Sequence, residues 1–265
     1  MGILLLREPR EGRGTDPYEQ EFLSAGMQVK SIEVLSFEFC NLPELRSLLN
    51  KPEEFSGMVF TSQRSVEAVR RCLQDAEDEE QSLPGDWICK STFVVGTATA
   101  AAARSLGLTP SGEECGTATQ LADLITQKFP TNGKALLFPC GLMRTETLPS
   151  ALSAANIPLT ELRVYQTTSH PDIDKRLDAY ITEQGVPEFL VFFSPSGVKF
   201  SQPALQKLAA NDLSKIKIAA IGPTTAEAMT SAGLAVACTA EKPNPRSLLT
   251  AIQANMAAQP TEGPT

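Results

Sequence analysis

The chain repeats itself. Ala25-Gly26-Met27-Gln28-Val29 aligns with Ala155-Asn156-Ile157-Pro158-Leu159 at an offset of 130 residues. Met58-Val59-Phe60-Thr61-Ser62 aligns with Leu190-Val191-Phe192-Phe193-Ser194 at an offset of 132. The strongest match pairs Val94-Val95-Gly96-Thr97-Ala98-Thr99-Ala100 with Ala220-Ile221-Gly222-Pro223-Thr224-Thr225-Ala226, offset 126, and carries through to Gly107 and Gly233. A weaker one sets Glu114 and Leu121–Ile125 against Glu241 and Leu248–Ile252, offset 127. Any one of these pairs could arise by chance. Four in the same order point to an internal duplication, with loop insertions accounting for the drift.

Each copy alternates short apolar strands with amphipathic or alanine-rich helices. Examples are Ile3–Leu6, Ala135–Phe138, Phe93–Val95 and Ile218–Ile221. Strand–helix alternation predicts parallel sheets buried on both faces. The expected fold class is α/β: two similar flavodoxin-like domains with parallel sheets flanked by helices. A two-segment hinge is expected to join them around a ligand cleft. The polar, aromatic stretches Leu35–Leu42 and Gln166–Pro171 read as the two crossings. One domain is then discontinuous, residues 1–35 plus 169–254, and the other is 36–168. The Pro-, Gly- and Thr-containing segment 255–265 is expected to be disordered.

Composition removes several function classes. No apolar run approaches a membrane span, and Ile3–Leu6 is too short for a signal-peptide core, so a soluble cytosolic chain is expected. The formal charge is −8 with no basic stripe, which argues against nucleic acid as a partner. The acidic run Asp75–Glu80 reads as a solvated loop. Six scattered cysteines without a C-x-x-C pair read as free thiols in a reducing compartment. With His170 the only histidine, beside Pro171, a histidine-rich metal site is excluded and no metal ligand is assigned. No G-x-G-x-x-G follows a strand, Gly12-Arg13-Gly14 does not supply one, and no Walker A loop is present. No cofactor is expected.

The duplicated Gly-Thr loops carry the chemistry. Each leads from a strand straight into a helix start, where unpaired N–H groups and the positive dipole end attract carboxylate or phosphate. Thr97, Thr99, Thr224 and Thr225 add hydroxyls. The turns Thr61-Ser62-Gln63-Arg64-Ser65 and Ser194-Pro195-Ser196-Gly197 repeat the arrangement at neighbouring strand ends. Ligands of open parallel sheets bind beyond the strands' carboxyl ends, so these four turns are expected to ring one cleft. Arg64, Lys217 and Arg144 are the basic residues nearest them in sequence. Tyr165 ends an apolar strand at the expected hinge, where a phenol can donate a proton or simply pack.

Several stretches together resemble the animal uroporphyrinogen-III synthases. They are Val34-Leu35-Ser36-Phe37-Glu38-Phe39, Leu137-Phe138-Pro139-Cys140-Gly141, Val164-Tyr165-Gln166-Thr167, Phe192-Phe193-Ser194-Pro195-Ser196-Gly197 and Ala219–Ala226. The resemblance runs to about residue 254.

It implies a lyase of haem biosynthesis that needs no cofactor and no metal. The substrate is hydroxymethylbilane, a linear tetrapyrrole with eight carboxylates. The product is uroporphyrinogen III, with ring D inverted and water lost. The implied route is departure of the ring A hydroxyl to an azafulvene, attack by the substituted α-carbon of ring D, a spirocyclic intermediate, then fragmentation and reclosure. Because the bilane closes unaided to the uninverted isomer, the protein's task is to hold ring D. By motif, Tyr165 assists hydroxyl departure. Ser62, Arg64, Thr97, Thr99, Ser194, Ser196, Lys217, Thr224 and Thr225 bind the acetate and propionate groups. A monomer is expected. The competing readings are a non-catalytic two-domain binder or sensor of an anionic metabolite, and a sugar-phosphate enzyme using the Gly-Thr loops.

Overall fold

The structure, a computed structural model, describes residues 2–8, 16–74, 83–129, 133–209 and 216–258. The acidic run at 75–80, the Gly12-Arg13-Gly14 segment and residues 259–265 lie outside them.

In chain order the first elements are β1 (Gly2–Leu6), α1 (Pro17–Ser24) and β2 (Gln28–Ile32). There follow β3 (Leu35–Phe39), α2 (Leu42–Leu49), β4 (Gly57–Phe60), α3 (Gln63–Gln74), α4 (Gly85–Ile88), β5 (Ser91–Val94) and α5 (Thr97–Arg104). Next come β6 (Pro110–Ser111), α6 (Ala118–Lys128), β7 (Leu136–Gly141), α7 (Thr147–Ala154) and β8 (Leu159–Ser169). The remainder is α8 (Ile173–Gln184), β9 (Phe189–Phe192), α9 (Pro195–Ala209), β10 (Lys217–Ala220), α10 (Pro223–Ser231), β11 (Val236–Thr239) and α11 (Pro245–Ala257).

The chain divides into two compact units, Met1–Ser36 with Thr168–Thr265, and Phe37–Thr167. The first contains a five-stranded sheet in the order β11-β10-β9-β1-β2, parallel throughout. Numbered along its own segments, this is the doubly wound order 2-1-3-4-5. The second contains a six-stranded sheet, β3-β8-β7-β4-β5-β6. Its five strands β8-β7-β4-β5-β6 are also parallel and have the same spatial order, but begin at a different point in the chain. Strand β3 is added at the edge beside β8. Hydrogen bonds from Cys40 N to Val164 O and from His170 N to Val34 O show that these two run in opposite directions.

The duplication therefore does not coincide with the compact units. Each linear copy is cut after its first strand–helix–strand. That piece of copy one, β1-α1-β2, joins β9 to β11 of copy two. The matching piece of copy two, β7-α7-β8, joins β4 to β6 of copy one. The aligned helix ends keep the same backbone: Gly26 and Asn156 both have positive φ, 74° and 57°, as do Gly107 and Gly233.

Strand alternation builds the cores. On β1, Ile3 and Leu5 face Phe22, Leu248 and Ile252, while Leu4 and Leu6 face Ile173, Leu177 and Val198. On β4, Met58 and Phe60 pack toward Val66, Val69 and Trp87, and Val59 toward Leu121 and Ile125. Both sheets are covered on both faces, which is why their strands are apolar runs rather than alternating ones.

The expected disordered segment is corrected at its start. Asn255, Met256 and Ala257 continue α11, and the Asn255 Nδ2 donates to Ala237 O at 2.9 Å. The pull toward disorder came from residues further on; the helix itself is held by Leu248, Leu249 and Ile252, all buried. All six cysteines are free: Cys72, Cys115 and Cys140 buried, Cys40 and Cys238 half-buried, Cys89 exposed.

Candidate active site

In the second unit the sheet reverses its winding between β7 and β4, and the loops after those strands open at its carboxyl end. After β4, the Ser62 Oγ accepts from Arg64 N at 3.1 Å and the Ser62 carbonyl accepts from Ser65 N at 3.1 Å. Ser62 thus starts α3, leaving its hydroxyl proton available to an acceptor. The Arg64 guanidinium lies 4.1 Å over the Phe37 ring. On the same ring Tyr165 packs edge-on, centroids 6.3 Å apart at 68°.

After β7, the Tyr165 ring crosses Gly141. A Cβ added to Gly141 would lie 2.9 Å from Tyr165 Cζ and 3.0 Å from its hydroxyl oxygen. Leu142 N donates to Tyr165 O at 2.9 Å, fixing the loop to β8. Among the described residues no group hydrogen-bonds the phenol. Arg144 is spent locally, paired with Glu146 at 2.7 Å and also with Glu161. Burial works against its charge, but these carboxylates outweigh it and keep the guanidinium protonated.

After β5, Gly96 leads into α5 with no side-chain cap, so the first-turn N–H groups are open. The aligned start of α10, at Gly222, is likewise uncapped. Three other helices are closed by side chains: Thr117 accepts from Gln120 N, Asn244 from Ser247 N, and Asp16 from Tyr18 N, whereas α2, α4, α7 and α8 also lack a side-chain cap. Open N–H groups at a strand's carboxyl end are the donors that carboxylates need.

In the first unit the equivalent turn follows β9. The Ser194 Oγ accepts from Gly197 N at 3.0 Å, and the Ser194 carbonyl accepts from Val198 N at 3.1 Å, starting α9. Ser196 is half-buried one turn residue later. Beside it, at the end of β1, Arg7 is paired with Asp16 at 3.0 Å and lies against the rings of Tyr18 and Phe193.

A family model described as uroporphyrinogen-III synthase HemD matches residues 16–250. The chain belongs to this family. It is 29% identical over 255 residues to the uroporphyrinogen-III synthase of Saccharomyces cerevisiae, covering 90% of this chain and 91% of that protein. It is equally 29% identical over 244 residues to the synthase of Schizosaccharomyces pombe, covering 90% and 92%. The solved uroporphyrinogen-III synthetase of Helicobacter pylori shares the fold, with a TM-score of 0.63 at 16% identity, over 97% of this chain and 99% of that one.

For this synthase, the structure brings Arg64 and Tyr165 together on Phe37 in one unit, with Ser62 bonded to the Arg64 backbone. It puts Ser194 and Ser196 at the start of α9, and Thr224 and Thr225 in the first turn of α10, in the other unit. Thr97 and Thr224 are exposed at their helix starts, whereas Thr99 and Thr225 turn inward and are only 5% and 3% exposed.

Lys217 is corrected. It begins β10 opposite Phe189, at the amino end of the sheet, while Ser194 follows the carboxyl end. Three residues of strand, about 10 Å, separate the two levels. Its Nζ is 3.4 Å from Glu188 and 5.1 Å over the Phe189 ring. Sequence proximity to the Gly222 loop had suggested a contact; a strand's length along the chain puts it at the wrong end.

Three residues packed beside these turns were not assigned roles from sequence: Phe37, Gly141 and Arg7. Arg7 carried a readable signal, a cation directly after four buried strand residues.

Proposed function

We infer that this chain cyclises hydroxymethylbilane to uroporphyrinogen III, inverting ring D and releasing water, as a step of haem biosynthesis. The family match across residues 16–250 carries this reading. The open helix starts and hydroxyl-bearing turns support it, because they offer neutral, directional donors to a polycarboxylate.

The residue assignments are proposals. Tyr165 donates its phenolic proton to the departing ring A hydroxyl, which leaves as water. The substituted α-carbon of ring D then attacks the azafulvene methylene. Spirocycle fragmentation and reclosure at the free α-carbon of ring D, whose proton is released and restores the Tyr165 phenol, regenerate the pyrroles with ring D inverted. Ser62, Arg64 and the start of α5 in one unit, and Ser194, Ser196 and the start of α10 in the other, bind substrate carboxylates. A chain acting as a monomer in the cytosol completes the proposal; light scattering on the purified protein and cell fractionation check those two points. Among the described residues no helix is long and apolar enough to cross a membrane.

The deciding experiment incubates the protein with hydroxymethylbilane and separates the product isomers. Isomer III in excess of the spontaneous isomer I is expected. Isomer I alone, at the uncatalysed rate, overturns the reading and leaves a non-catalytic binder.

A further inference from the structure

At the carboxyl end of β1 sits a cation that the donor turns above do not include. Leu6 pairs with Phe192 in the sheet, so Arg7 stands level with Phe193, one residue before Ser194. The strand order reverses at this point, β1 lying between β2 and β9. That is where sheets of this winding hold their ligands.

The side chain is fixed before any ligand arrives. Its guanidinium carbon is 4.7 Å from the Tyr18 ring centre and 5.0 Å from that of Phe193, and the two rings meet edge to face at 4.9 Å. The Tyr18 hydroxyl donates to Pro243 O at 3.2 Å, anchoring one of the two rings. Arg7 Nη1 donates to Asp16 Oδ1 at 3.0 Å, and the Asp16 side chain is only 2% exposed. The rotamer entropy of a long cation is thereby already lost, so binding does not pay it again.

The donors are not exhausted. A guanidinium has five N–H groups in a rigid fork, and among the described residues Asp16 is its one hydrogen-bonding partner. Asp16 meanwhile accepts from Tyr18 N and Glu19 N at the start of α1, so its charge is shared with that helix. The helix cap does not need the arginine. An arginine kept 14% exposed at the ligand end of the sheet is placed to do more than neutralise Asp16.

We propose that Arg7 is a carboxylate-binding residue of the first unit, holding one acetate or propionate group of the substrate beside the Ser194 turn. This rests on the functional reading above. The fork of Arg7 offers a bidentate contact that the hydroxyls and backbone donors nearby cannot make.

The test measures KM and kcat for hydroxymethylbilane, the isomer III fraction and the thermal midpoint of the wild type, Arg7→Gln and Arg7→Lys. Loss of a charged hydrogen-bonding partner should raise KM of Arg7→Gln by about 10- to 100-fold with kcat changed less than about threefold. Arg7→Lys keeps the charge but not the fork, and should show a smaller rise. A folded Arg7→Gln with KM within about twofold of wild type overturns the proposal. If Arg7→Gln does not fold, Arg7→Lys decides: a raised KM at an unchanged thermal midpoint supports it, and an unchanged KM overturns it. A wild type yielding only isomer I overturns the functional reading and this proposal with it, whereas isomer III from wild type with an unchanged variant KM overturns this proposal alone.

Discussion

The phenol of Tyr165 lies directly over the Cα of Gly141, so close that a methyl group there would sit 3.2 Å or less from three of its atoms. The two residues face each other across the β7–β8 ladder, at a register shift between Cys140 and Gly141. Only glycine leaves room for the ring at this point. Gly141→Ala should therefore push the phenol off its position on Phe37. A displacement of about 1 Å at a reacting group can cost about 100-fold in rate. Steady-state kinetics should show kcat falling by roughly that factor, and product analysis should show isomer I rising as the spontaneous closure competes. An unchanged kcat would mean that the ring position is immaterial.

Tyr165→Phe removes the hydroxyl and leaves the ring. Packing against Phe37 and Gly141 is retained, and no described residue loses a hydrogen bond. The thermal midpoint should stay within about 2 °C of wild type, since no contact of the folded state is removed. Turnover should drop by about 100- to 10,000-fold, the usual worth of a positioned general acid, with some activity left because carboxylate binding still orders the bilane. A wild-type rate would remove the phenol from proton transfer.

Lys217 supplies a converse case. Its ammonium serves Glu188 at the amino end of β10, and partly exposed pairs of this kind contribute about 0–1 kcal/mol. Lys217→Met should leave KM for hydroxymethylbilane within about twofold, because the ammonium stands at the opposite end of the sheet from the donor turns. A rise beyond about tenfold would return Lys217 to the binding set.

Gly57 opens β4 opposite Ser91 of β5, and a Cβ there would lie 2.1 Å from the Ser91 carbonyl oxygen and 3.1 Å from Leu136 Cδ2. The neighbour is backbone, so the strands must separate. Gly57→Ala should destabilise by about 3 kcal/mol or more, at the top of the range for overpacked cores. Urea unfolding monitored by the fluorescence of Trp87, which packs in the same core, measures it. The aligned residue of the other copy is Phe189, so the restriction belongs to this strand pair and not to the repeat.

The offsets between Ala25 and Ala155, or Val94 and Ala220, revealed the strands, the helix starts and even the left-handed helix ends at Gly26 and Asn156. They could not reveal that β1-α1-β2 and β7-α7-β8 trade places between the compact units, because alignment reports likeness and not which copy's strands pair. The site divided in the same way. Ser62, Ser194 and the Gly-Thr loops were legible because helix starts have a residue code. Phe37, Gly141 and the Arg7–Asp16 pair were not, since ring-over-ring and ring-over-backbone contacts join residues far apart in the chain and leave no local pattern. Lys217 misled for the reverse reason: few residues separate it from the Gly222 loop, yet they span the depth of the sheet.

The cysteines offer a check on packing that is independent of the reaction. Cys238 lies on β11, and burial pushes its thiol pKa up to about 11 against the opposing charge of Lys217. Burial also raises the thiols of Cys140 and Cys115. A raised pKa means less thiolate, the reactive form, at any pH below it; at pH 8 Cys238 is only about 0.1% ionised. Cys89 is exposed and should be alkylated first. Mass spectrometry of protein treated with iodoacetamide at pH 8 should show one fast modification at Cys89, with Cys238 slower by at least about 100-fold in proportion to its thiolate fraction. Raising the pH toward 10 should accelerate Cys238 about tenfold per unit while the fold persists, because its pKa still lies above the working range. Equal rates for Cys89 and Cys238 at pH 8 would show that β11 does not cover its thiol.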